Sequence, residues 1–255
     1  MTTAGQGTAA PLPDTALSVI IPAYNEARRL APHVGSVLDY LRASYPAFEL
    51  IVVDDGSQDE TAAAVRTALA GEPRARVLAY QPNRGKGYAI RTGVLASRGT
   101  AVVFLDADLS TPIQEIPTAL ARLTQAEVVI GSRDLPASDI RGQQPLYRRL
   151  ASEIFKWVRY LMVGLWRLSD TQCGFKAYRG PVARQLFALA QVDRFMFDVE
   201  ILYLADRAGL RIVEMPVQWT DAPGSKVRFW AGLLDMIRDL WRIRWLHRQR
   251  PVIVQ

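Results

Sequence analysis

Hydrophobic positions in the first half of the chain follow two alternating patterns. Short β-branched runs, typical of buried strands, occupy Leu17–Ile21, Leu50–Val53, Val77–Tyr80, Ala101–Leu105 and Glu127–Ile130. Longer segments with apolar residues at helical spacing begin near Glu26, Asp59, Gly87 and Pro112. This alternation predicts right-handed βαβ units, and therefore an α/β fold with a mostly parallel sheet that is covered by helices on both faces.

The pattern changes after Arg133. The predicted elements of the second half are a polar loop over Asp134–Pro145, a basic and aromatic helix over Leu146–Leu168, a strand-and-helix group over Thr171–Trp219, and a second basic, aromatic helix over Gly224–His247. We therefore expect a flexible arm over residues 1–16, one folded domain over 17–220, and an amphipathic helix with a tail over 221–255.

Chain length and hydrophobic content fit a single large core. The chain has 255 residues, of which 49% are hydrophobic. The first 16 residues contain neither the basic nor the apolar region of a signal peptide. The most apolar stretch, Tyr160–Trp166, is flanked by Arg159 and Arg167, so we expect no membrane-spanning segment.

The charge of the chain points to an anionic partner. The net charge is +6, and the basic residues are concentrated after position 140, among Trp, Leu and Phe side chains. Such a mixture favours a membrane surface over a nucleic acid. The alternative is that these aromatic side chains are buried in the core or in a contact between two copies. The single cysteine, Cys173, excludes an internal disulfide and so favours a reducing compartment. Together with the basic and aromatic segments, this leads us to expect a protein bound peripherally to the cytoplasmic face of a membrane.

Two carboxylates directly follow the fourth predicted strand. Asp106 and Asp108 are one residue apart at a strand's carboxyl end, where open α/β sheets bind ligands. Such a pair can hold a divalent cation, which in turn binds a phosphate. The alternative is that the pair caps the helix that starts near Pro112. The cation site is favoured here because other polar segments fit the same place.

Three other polar segments also follow predicted strands. They are Pro22–Glu26 after the first strand, Asp54 and Asp55 after the second, and Asn83–Gly87, with Lys86 between two glycines, after the third. Backbone amides and a cation at the start of a helix suit an anion. Since parallel strands deliver their carboxyl ends to one edge, we expect these segments to converge on a nucleotide diphosphate and its metal.

These segments together resemble the signature of the inverting glycosyltransferases of family 2. The segments that carry this resemblance are Ser18–Glu26, Val52–Ser57 and Asp106–Asp108. Further segments resemble the dolichyl-phosphate β-glucosyltransferase branch: Asn83–Gly87, Gly131–Arg133, Asp170–Lys176, Phe197–Glu200, Val213–Val217 and Gly224–Lys226. The resemblance covers about residues 17–246 and implies a GT-A fold, which is a Rossmann-like α/β architecture, here followed by C-terminal amphipathic helices.

The resemblance also implies the substrates: a UDP-sugar, most simply UDP-glucose, as donor and a polyprenyl phosphate as acceptor. The residues expected to hold the donor are Pro22, Ala23, Tyr24, Glu26, Asp54, Asp55, Lys86, Asp106, Ala107 and Asp108. Asp106 and Asp108 would bind Mg²⁺ or Mn²⁺. Related mannosyltransferases have a Gln as a further metal contact where this chain has Ser110.

A phosphate acceptor already presents an anionic oxygen, so positioning by cations can replace deprotonation. The candidates that would grip this phosphate are Arg133, Arg141, Lys176 and Lys226. The predicted catalytic residues are Asp106, Asp108, Arg133 and Asp198.

The roles of three further acids are left open. Asp198 or Glu200 would act as a base or orient the acceptor loop, and Asp170 would act similarly, cap a helix or hold Lys176. His33 and His247 lie outside the motifs, and we expect neither to act.

Other functions fit parts of the pattern. A family 2 enzyme could use GDP-mannose or UDP-GlcNAc as donor, or a saccharide as acceptor. A nucleotidyltransferase usually opens with a glycine-rich loop after the first strand, whereas this chain has Pro22–Glu26 there. A non-catalytic lipid-binding module would tolerate Asp108→Asn.

Overall fold

A seven-stranded sheet organises the fold. The computed structural model describes residues 16–141, 146–220 and 229–248. The strands of this sheet are β1 (Leu17–Ala23), β2 (Phe48–Asp54), β3 (Ala75–Ala79), β4 (Ala101–Leu105), β5 (Val128–Ser132), β7 (Phe175–Arg179) and β8 (Ile212–Pro216). Their order is β3-β2-β1-β4-β7-β5-β8, and β7 alone of these seven runs antiparallel to its neighbours. The prediction of a mostly parallel sheet is confirmed.

Helices cover both faces of the sheet, as predicted. The helices are α1 (Leu30–Ser44), α2 (Thr61–Ala68), α3 (Lys86–Leu95), α4 (Ile116–Leu123), α5 (Leu146–Val163), α6 (Gly180–Leu189), α7 (Phe197–Arg207) and α8 (Phe229–Leu246). One apolar cluster lies between the sheet and α3 with α5 to α8. A second cluster lies between the opposite face and α1, α2 and α4. The sheet is thus buried on both faces, which explains the continuous apolar runs of its strands.

Several predicted element boundaries differ from the structure: the helix expected over Leu146–Leu168, for example, ends at Val163. The first helix begins at Leu30, not near Glu26, because Asn25 adopts a left-handed φ of 53° and the amides of Arg29 and Leu30 close a turn on the carbonyl of Glu26. The helix expected from Pro112 starts as a 3₁₀ turn over Ile113–Glu115 before α4.

The predicted polar loop over 134–145 was wrong at residues 139–141. These residues form β6 (Asp139–Arg141), which pairs in parallel with β9 (Gln218–Thr220) as a separate two-stranded sheet. The exposed, three-residue strand carries one apolar side chain, so its sequence lacks a strand pattern. The expected arm up to residue 15, residues 142–145 and residues 221–228 lie outside the part of the chain that the structure describes.

A glycine allows α3 to lie close to the sheet. A Cβ built on Gly93 would lie 2.5 Å from Cγ2 of Ile20 and 3.0 Å from Cγ2 of Val53. These neighbours belong to β1 and β2 and are fully buried, so they have little room to move. This close packing fixes the height of α3, and therefore of Lys86 at its first turn, above the sheet.

Gly93→Ala is expected to lower the free energy of unfolding by about 1–3 kcal/mol, because the added methyl group overpacks the helix–sheet interface. Denaturant unfolding would measure this change. The matched control is Gly35→Ala in α1, where an added Cβ meets no atom within 4 Å among the described residues. We expect the control to be neutral or stabilised by up to about 1 kcal/mol. Equal stability of the two variants would contradict the close packing.

Candidate active site

The carboxyl ends of three parallel strands meet at one edge of the sheet. β1 pairs in parallel with β2, so that Ala23 lies beside Asp54, and with β4, so that Ile20 lies beside Phe104. The segments that follow these strands therefore leave the sheet on the same side. The structure thus brings the predicted donor segments together at this edge.

Lys86 and Asp106 form the central ion pair of this edge. The ammonium of Lys86, the first residue of α3, lies 2.6 Å from Oδ1 of Asp106. Burial by itself lowers the pKa of Lys86, but the carboxylates of Asp106, Asp198 and Asp108 outweigh it and raise this pKa above its usual value. The lysine therefore carries its positive charge at neutral pH and can attract an anionic ligand to this edge of the sheet.

Gly174 holds Asp106 from the other side. The amide of Asp106 donates to the carbonyl of Gly174 over 3.1 Å. A Cβ at Gly174 would lie 1.8 Å from Oδ2 of Asp106, so only glycine permits this approach. The Asp106 carboxylate is thereby fixed between Lys86 and the loop that leads into β7.

Asp108 lies two residues after Asp106, in the loop that follows β4. Leu109 has a left-handed φ of 49° and its amide donates to the carbonyl of Asp106, which closes the turn. Oδ1 of Asp108 accepts from the amide of Ser110 over 3.0 Å. A hydrogen bond to Glu26 raises the pKa of Arg29, burial opposes this change, and Asp108 makes a smaller contribution in the same direction as Glu26. Asp106 and Asp108 thus lie together at the site, within electrostatic reach of the first loop.

The chemistry of these donors fits a hard divalent cation. Asp106 and Asp108 supply carboxylate oxygens, and no cluster of three or more His, Cys, Asp or Glu residues suited to a metal occurs within residues 16–141, 146–220 and 229–248. Mg²⁺ is commonly held by one or two carboxylates and completed by substrate phosphates and water. Two carboxylates beside an anion-binding lysine therefore suit Mg²⁺ or Mn²⁺ that arrives with a diphosphate.

Asp55 orders the turn that presents Lys86. Its carboxylate accepts from the side-chain amide of Asn83 over 2.7 Å, from the hydroxyl of Tyr80 over 2.8 Å and from the amides of Arg84 and Gly85 over 2.8 Å each. Asp55 is 3% exposed. Asp55 was expected to help hold the donor, but both of its carboxylate oxygens bind the turn, so this geometry favours an indirect role.

The other residues expected around the nucleotide follow β1 and β2. Pro22 and Ala23 are buried at the end of β1, whereas Tyr24 is 37% exposed. Glu26 binds Arg29 through two hydrogen bonds of 2.6 and 2.7 Å. Asp54 is buried and accepts from the hydroxyl of Ser57. Tyr24 is thus the aromatic ring that this loop leaves open to a ligand.

Lys176 and Asp198 form a buried ion pair. Nζ of Lys176 donates to Oδ1 of Asp198 over 2.6 Å and to the carbonyl of Cys173 over 2.7 Å. Lys176 has no exposed surface, so the prediction that it grips the acceptor phosphate is wrong in this structure. Burial raises the pKa of Asp198, while Lys176 and Lys86 oppose this shift. Asp198 therefore supports the site from below and is not placed as an exposed base.

Arg133 pairs with Asp170, whose role the sequence had left open, with holding Lys176 as one of the alternatives. Nε and Nη2 of Arg133 lie 2.6 and 3.0 Å from the two carboxylate oxygens of Asp170. Although burial alone would raise the pKa of Asp170, the charge and hydrogen bonds of Arg133 lower it to about 2. Glu214 accepts from the amides of Ser169 and Asp170 over 3.0 Å each and so fixes this loop. Glu214 stands in one of the quoted motifs, but its sequence context carried no signal for this role.

Arg141 lies at the rim of the site. It is exposed and pairs with Asp139 at 2.8 Å. Its strand neighbour Thr220 donates its amide to the carbonyl of Ser110, which places this rim beside the Asp108 turn. Lys226 falls outside the described residues.

Helices α5 and α8 pack together and expose an aromatic surface. We define the aromatic surface as Ile154, Trp157, Leu161, Trp166, Trp241 and Trp245, whose exposed fractions are 53 to 80%. The alternative that these side chains are buried in the core is therefore wrong for this surface. Arg167, Arg238, Arg242, Arg244 and Arg248 are also exposed. Across the helices that the structure describes, none is long and apolar enough to cross a membrane.

Buried Arg159 ties α5 to the site. Its Nη1 donates to the hydroxyl of Thr171 over 2.6 Å and its Nη2 to the carbonyl of Leu168 over 2.8 Å. Arg159 is 1% exposed. The bonded residues flank Asp170, so this guanidinium joins the helix of the aromatic surface to the loop that holds Arg133.

The sequence of this chain is similar to those of known proteins. Residues 18–187 match glycosyl transferase family 2. A Drosophila melanogaster protein named dolichyl-phosphate beta-glucosyltransferase is 39% identical over 91% of this chain and 75% of its own length. The Homo sapiens protein of the same name is 36% identical over 91% of this chain and 76% of its own length.

The fold also matches a solved structure. Glucosyl-3-phosphoglycerate synthase from Mycobacterium tuberculosis, in complex with Mn²⁺, UDP-glucose and phosphoglyceric acid, superposes with a TM-score of 0.65. It is 20% identical, and the match covers 90% of this chain and 78% of that chain. At this identity the likeness shows the fold alone, and the expected GT-A fold is confirmed.

Gly174→Ala is expected to displace the carboxylate of Asp106 and to weaken Mn²⁺ binding, measured by calorimetry in the presence of UDP, by about tenfold or more. The physical reason is the 1.8 Å approach of the added Cβ to Oδ2 of Asp106. Gly35→Ala serves again as the control. An unchanged Mn²⁺ affinity in a folded Gly174→Ala protein would show that Asp106 does not depend on this contact.

Proposed function

The chain belongs to glycosyltransferase family 2, and from this premise we propose that it transfers glucose from UDP-glucose to a polyprenyl phosphate. The observation that carries this proposal is the cluster of Lys86, Asp106 and Asp108 at the carboxyl edge of the sheet. The names of the curated relatives support the choice of glucose and of a dolichyl-type lipid phosphate.

The donor diphosphate binds at the ion pair of Lys86 and Asp106 in this proposal. Asp106 and Asp108 hold Mg²⁺ or Mn²⁺, which neutralises negative charge on the diphosphate when it is bound. Lys86 remains charged and stands at the start of α3, where the helix end also favours an anion. Tyr24 offers an exposed ring to the uracil base, beside the buried Pro22 and Ala23. Asp54 and Asp55 act through the turns that they order.

The reaction forms one bond and breaks one bond at the anomeric carbon. An oxygen of the acceptor phosphate attacks from the face opposite the diphosphate, the bond from the anomeric carbon to the diphosphate oxygen breaks, and its electron pair leaves with UDP. The transition state is oxocarbenium-like, so catalysis needs stabilisation of the leaving group and alignment of the nucleophile. The product carries a β-linked glucose, in keeping with inversion.

A phosphate nucleophile removes the need for a general base. Its attacking oxygen is already ionised near neutral pH, so no carboxylate has to take up a proton. This fits the placement of Asp198, a residue that is 4% exposed and whose carboxylate is bound to Lys176. Asp198 then contributes by balancing the charges of Lys176 and Lys86 below the donor.

Arg133 is the best-placed cation for the acceptor phosphate. Its side chain is 30% exposed and is held by Asp170, which leaves the guanidinium oriented but still open to solvent. Arg141 at the rim is the second candidate, and Lys226 stays a prediction. Guanidinium groups suit phosphate because they bind two oxygens at once.

The aromatic surface supplies the membrane contact in this proposal. Exposed tryptophan and arginine side chains that lie near one another, as on α8, are typical of elements at the level of lipid headgroups. The acceptor carries a long lipid, so the phosphate must be met at a bilayer surface. Arg159 connects this surface to the loop of Asp170, and this connection supports an acceptor phosphate that meets Arg133 on the membrane side. Peripheral binding at the cytoplasmic face is part of the proposal.

Radiolabelled UDP-glucose, a short polyprenyl phosphate and Mn²⁺ test the function, with GDP-mannose and UDP-GlcNAc in parallel assays. We expect label from UDP-glucose in the organic phase, and no transfer after EDTA. Asp108→Asn should lower kcat/KM by about 100-fold or more, because it removes a charged oxygen from the metal site. The control is Asp39→Asn on α1, whose side chain is 77% exposed. Absence of lipid-linked label with all donors would refute the proposal.

Leu161→Glu tests the membrane contact. Leu161 is 80% exposed in α5, so the change should leave the fold intact. Its binding to vesicles of phosphatidylcholine and phosphatidylglycerol, measured by co-sedimentation, should fall about tenfold or more, since an apolar contact is lost and a negative charge is added. The matched control is Leu95→Glu at the end of α3, where the leucine is 47% exposed and lies outside the aromatic surface. Equal vesicle binding by the two variants would contradict this contact.

A further inference from the structure

A buried histidine ties the end of α8 to α7. Nε2 of His247 lies 2.7 Å from Oε1 of Glu200, and the two residues are 2% and 0% exposed. A carboxylate only accepts hydrogen bonds, so Nε2 of His247 carries the proton in this contact. The sequence had placed His247 at the end of the last predicted helix, and we expected it not to act. Its position one residue past α8 puts the imidazole into the core, while Trp241 and Trp245 of the same helix remain exposed.

The carboxylate of Glu200 also accepts hydrogen bonds from the loop between α6 and α7. The amide of Gln191 donates to both carboxylate oxygens over 3.0 Å each, and the amide of Val192 donates to Oε2 over 2.9 Å. These amides belong to the connection between α6 and α7. Because Glu200 is fully buried, these amides and His247 are the hydrogen-bond partners that its carboxylate needs. The carboxylate therefore fixes the main chain of residues 191–192.

The loop between α6 and α7 also packs against the turn that carries Lys86. The carbonyl of Asp193 accepts from the amide of Tyr88 over 3.0 Å. A Cβ at Gly85 would lie 2.6 Å from the carbonyl oxygen of Asp193, and one at Gly87 would lie 2.7 Å from that of Val192. The two glycines around Lys86 thus lie directly on this loop, with no room for a side chain between them.

Two salt bridges also join the loop between α6 and α7 to the Lys86 turn and to α3. The carboxylate of Asp193 lies 2.7 Å from Nη2 of Arg91 in α3 and 3.6 Å from Nη2 of Arg84. Both guanidinium groups also lie over the ring of Tyr88, at 5.0 and 3.6 Å. Any shift of residues 191–193 is therefore passed to the first turn of α3, where Lys86 meets Asp106.

We infer that Glu200 and His247 are positioning residues that fix the Lys86 turn for the donor diphosphate and make its geometry depend on the docking of α8. The inference rests on the proposed role of Lys86 in donor binding. It assigns to Glu200 a role other than a base, and it joins the aromatic surface to the donor end of the site through side chains that touch no substrate.

His247→Ala tests the link, because it removes one donor to Glu200 and unties α8 at a single point. We expect the KM for UDP-glucose and the Kd for UDP with Mn²⁺ to rise about tenfold, the size expected for one hydrogen bond to a charged group. The KM for the lipid phosphate should change less than about twofold. His247→Gln, whose amide can donate to Glu200, should restore most of the donor affinity. The control is His33→Ala, at an exposed position in α1.

A double-mutant cycle separates positioning from a general loss of stability. Lys86→Met keeps the aliphatic stem but removes the ammonium group. If His247 acts through Lys86, adding His247→Ala to Lys86→Met should change UDP affinity by less than about twofold. A further tenfold loss in that background, an unchanged donor KM in His247→Ala, or equal losses in donor and acceptor KM would each overturn the inference.

Hydrogen exchange gives a readout that does not depend on activity. In His247→Ala the amides of Gln191, Val192 and Tyr88 should exchange faster than in the wild type, whereas in His33→Ala they should not. If the wild type fails to bind UDP with Mn²⁺, the proposed function fails, and exchange at Tyr88 still decides whether α8 is coupled to the Lys86 turn. Unchanged exchange at Tyr88 would overturn the coupling.

Discussion

Alternating charges at the carboxyl edge of the sheet are the constraint on which the site depends. Lys86 is paired with Asp106, Lys176 is paired with Asp198, and Lys86 also feels the charge of Asp198. Removing either partner of the buried pair of Lys176 and Asp198 leaves an uncompensated charge, which is strongly destabilising. Each residue comes from a different element, namely α3, the end of β4, β7 and α7. The four charges therefore fix how these elements lie relative to one another.

The antiparallel strand β7 makes this arrangement possible. It runs between β4 and β5, with Phe175 beside Leu105 and Lys176 beside Phe104. Gly174 consequently meets Asp106 as β4 ends, and the chain that enters β7 brings Asp170 to Arg133. One strand inserted against the direction of its neighbours thus positions two residues of the proposed site: Asp106, the proposed metal ligand, and Arg133, the proposed acceptor cation.

Much of the fold followed from sequence pattern, but the partners of charged residues did not. Ala101–Leu105 was predicted to the residue, because a buried strand between polar turns is clear in one dimension. The position of β7 and the pairing of β6 with β9 were not predicted, since hydrophobic spacing carries no information about which distant strands pair. The partners of Lys176, Asp170 and His247 were not predicted for the same reason. These partners are distant along the chain: Asp198, Arg133 and Glu200.

Cys173 directly precedes Gly174 in the loop that leads into β7, and its backbone carbonyl accepts a hydrogen bond from Lys176. It is fully buried, and burial raises its pKa to about 11. A protonated, inaccessible thiol reacts slowly with oxidants and alkylating reagents. The loop therefore keeps its shape without a reducing agent, and thiol modification should not regulate turnover in this enzyme.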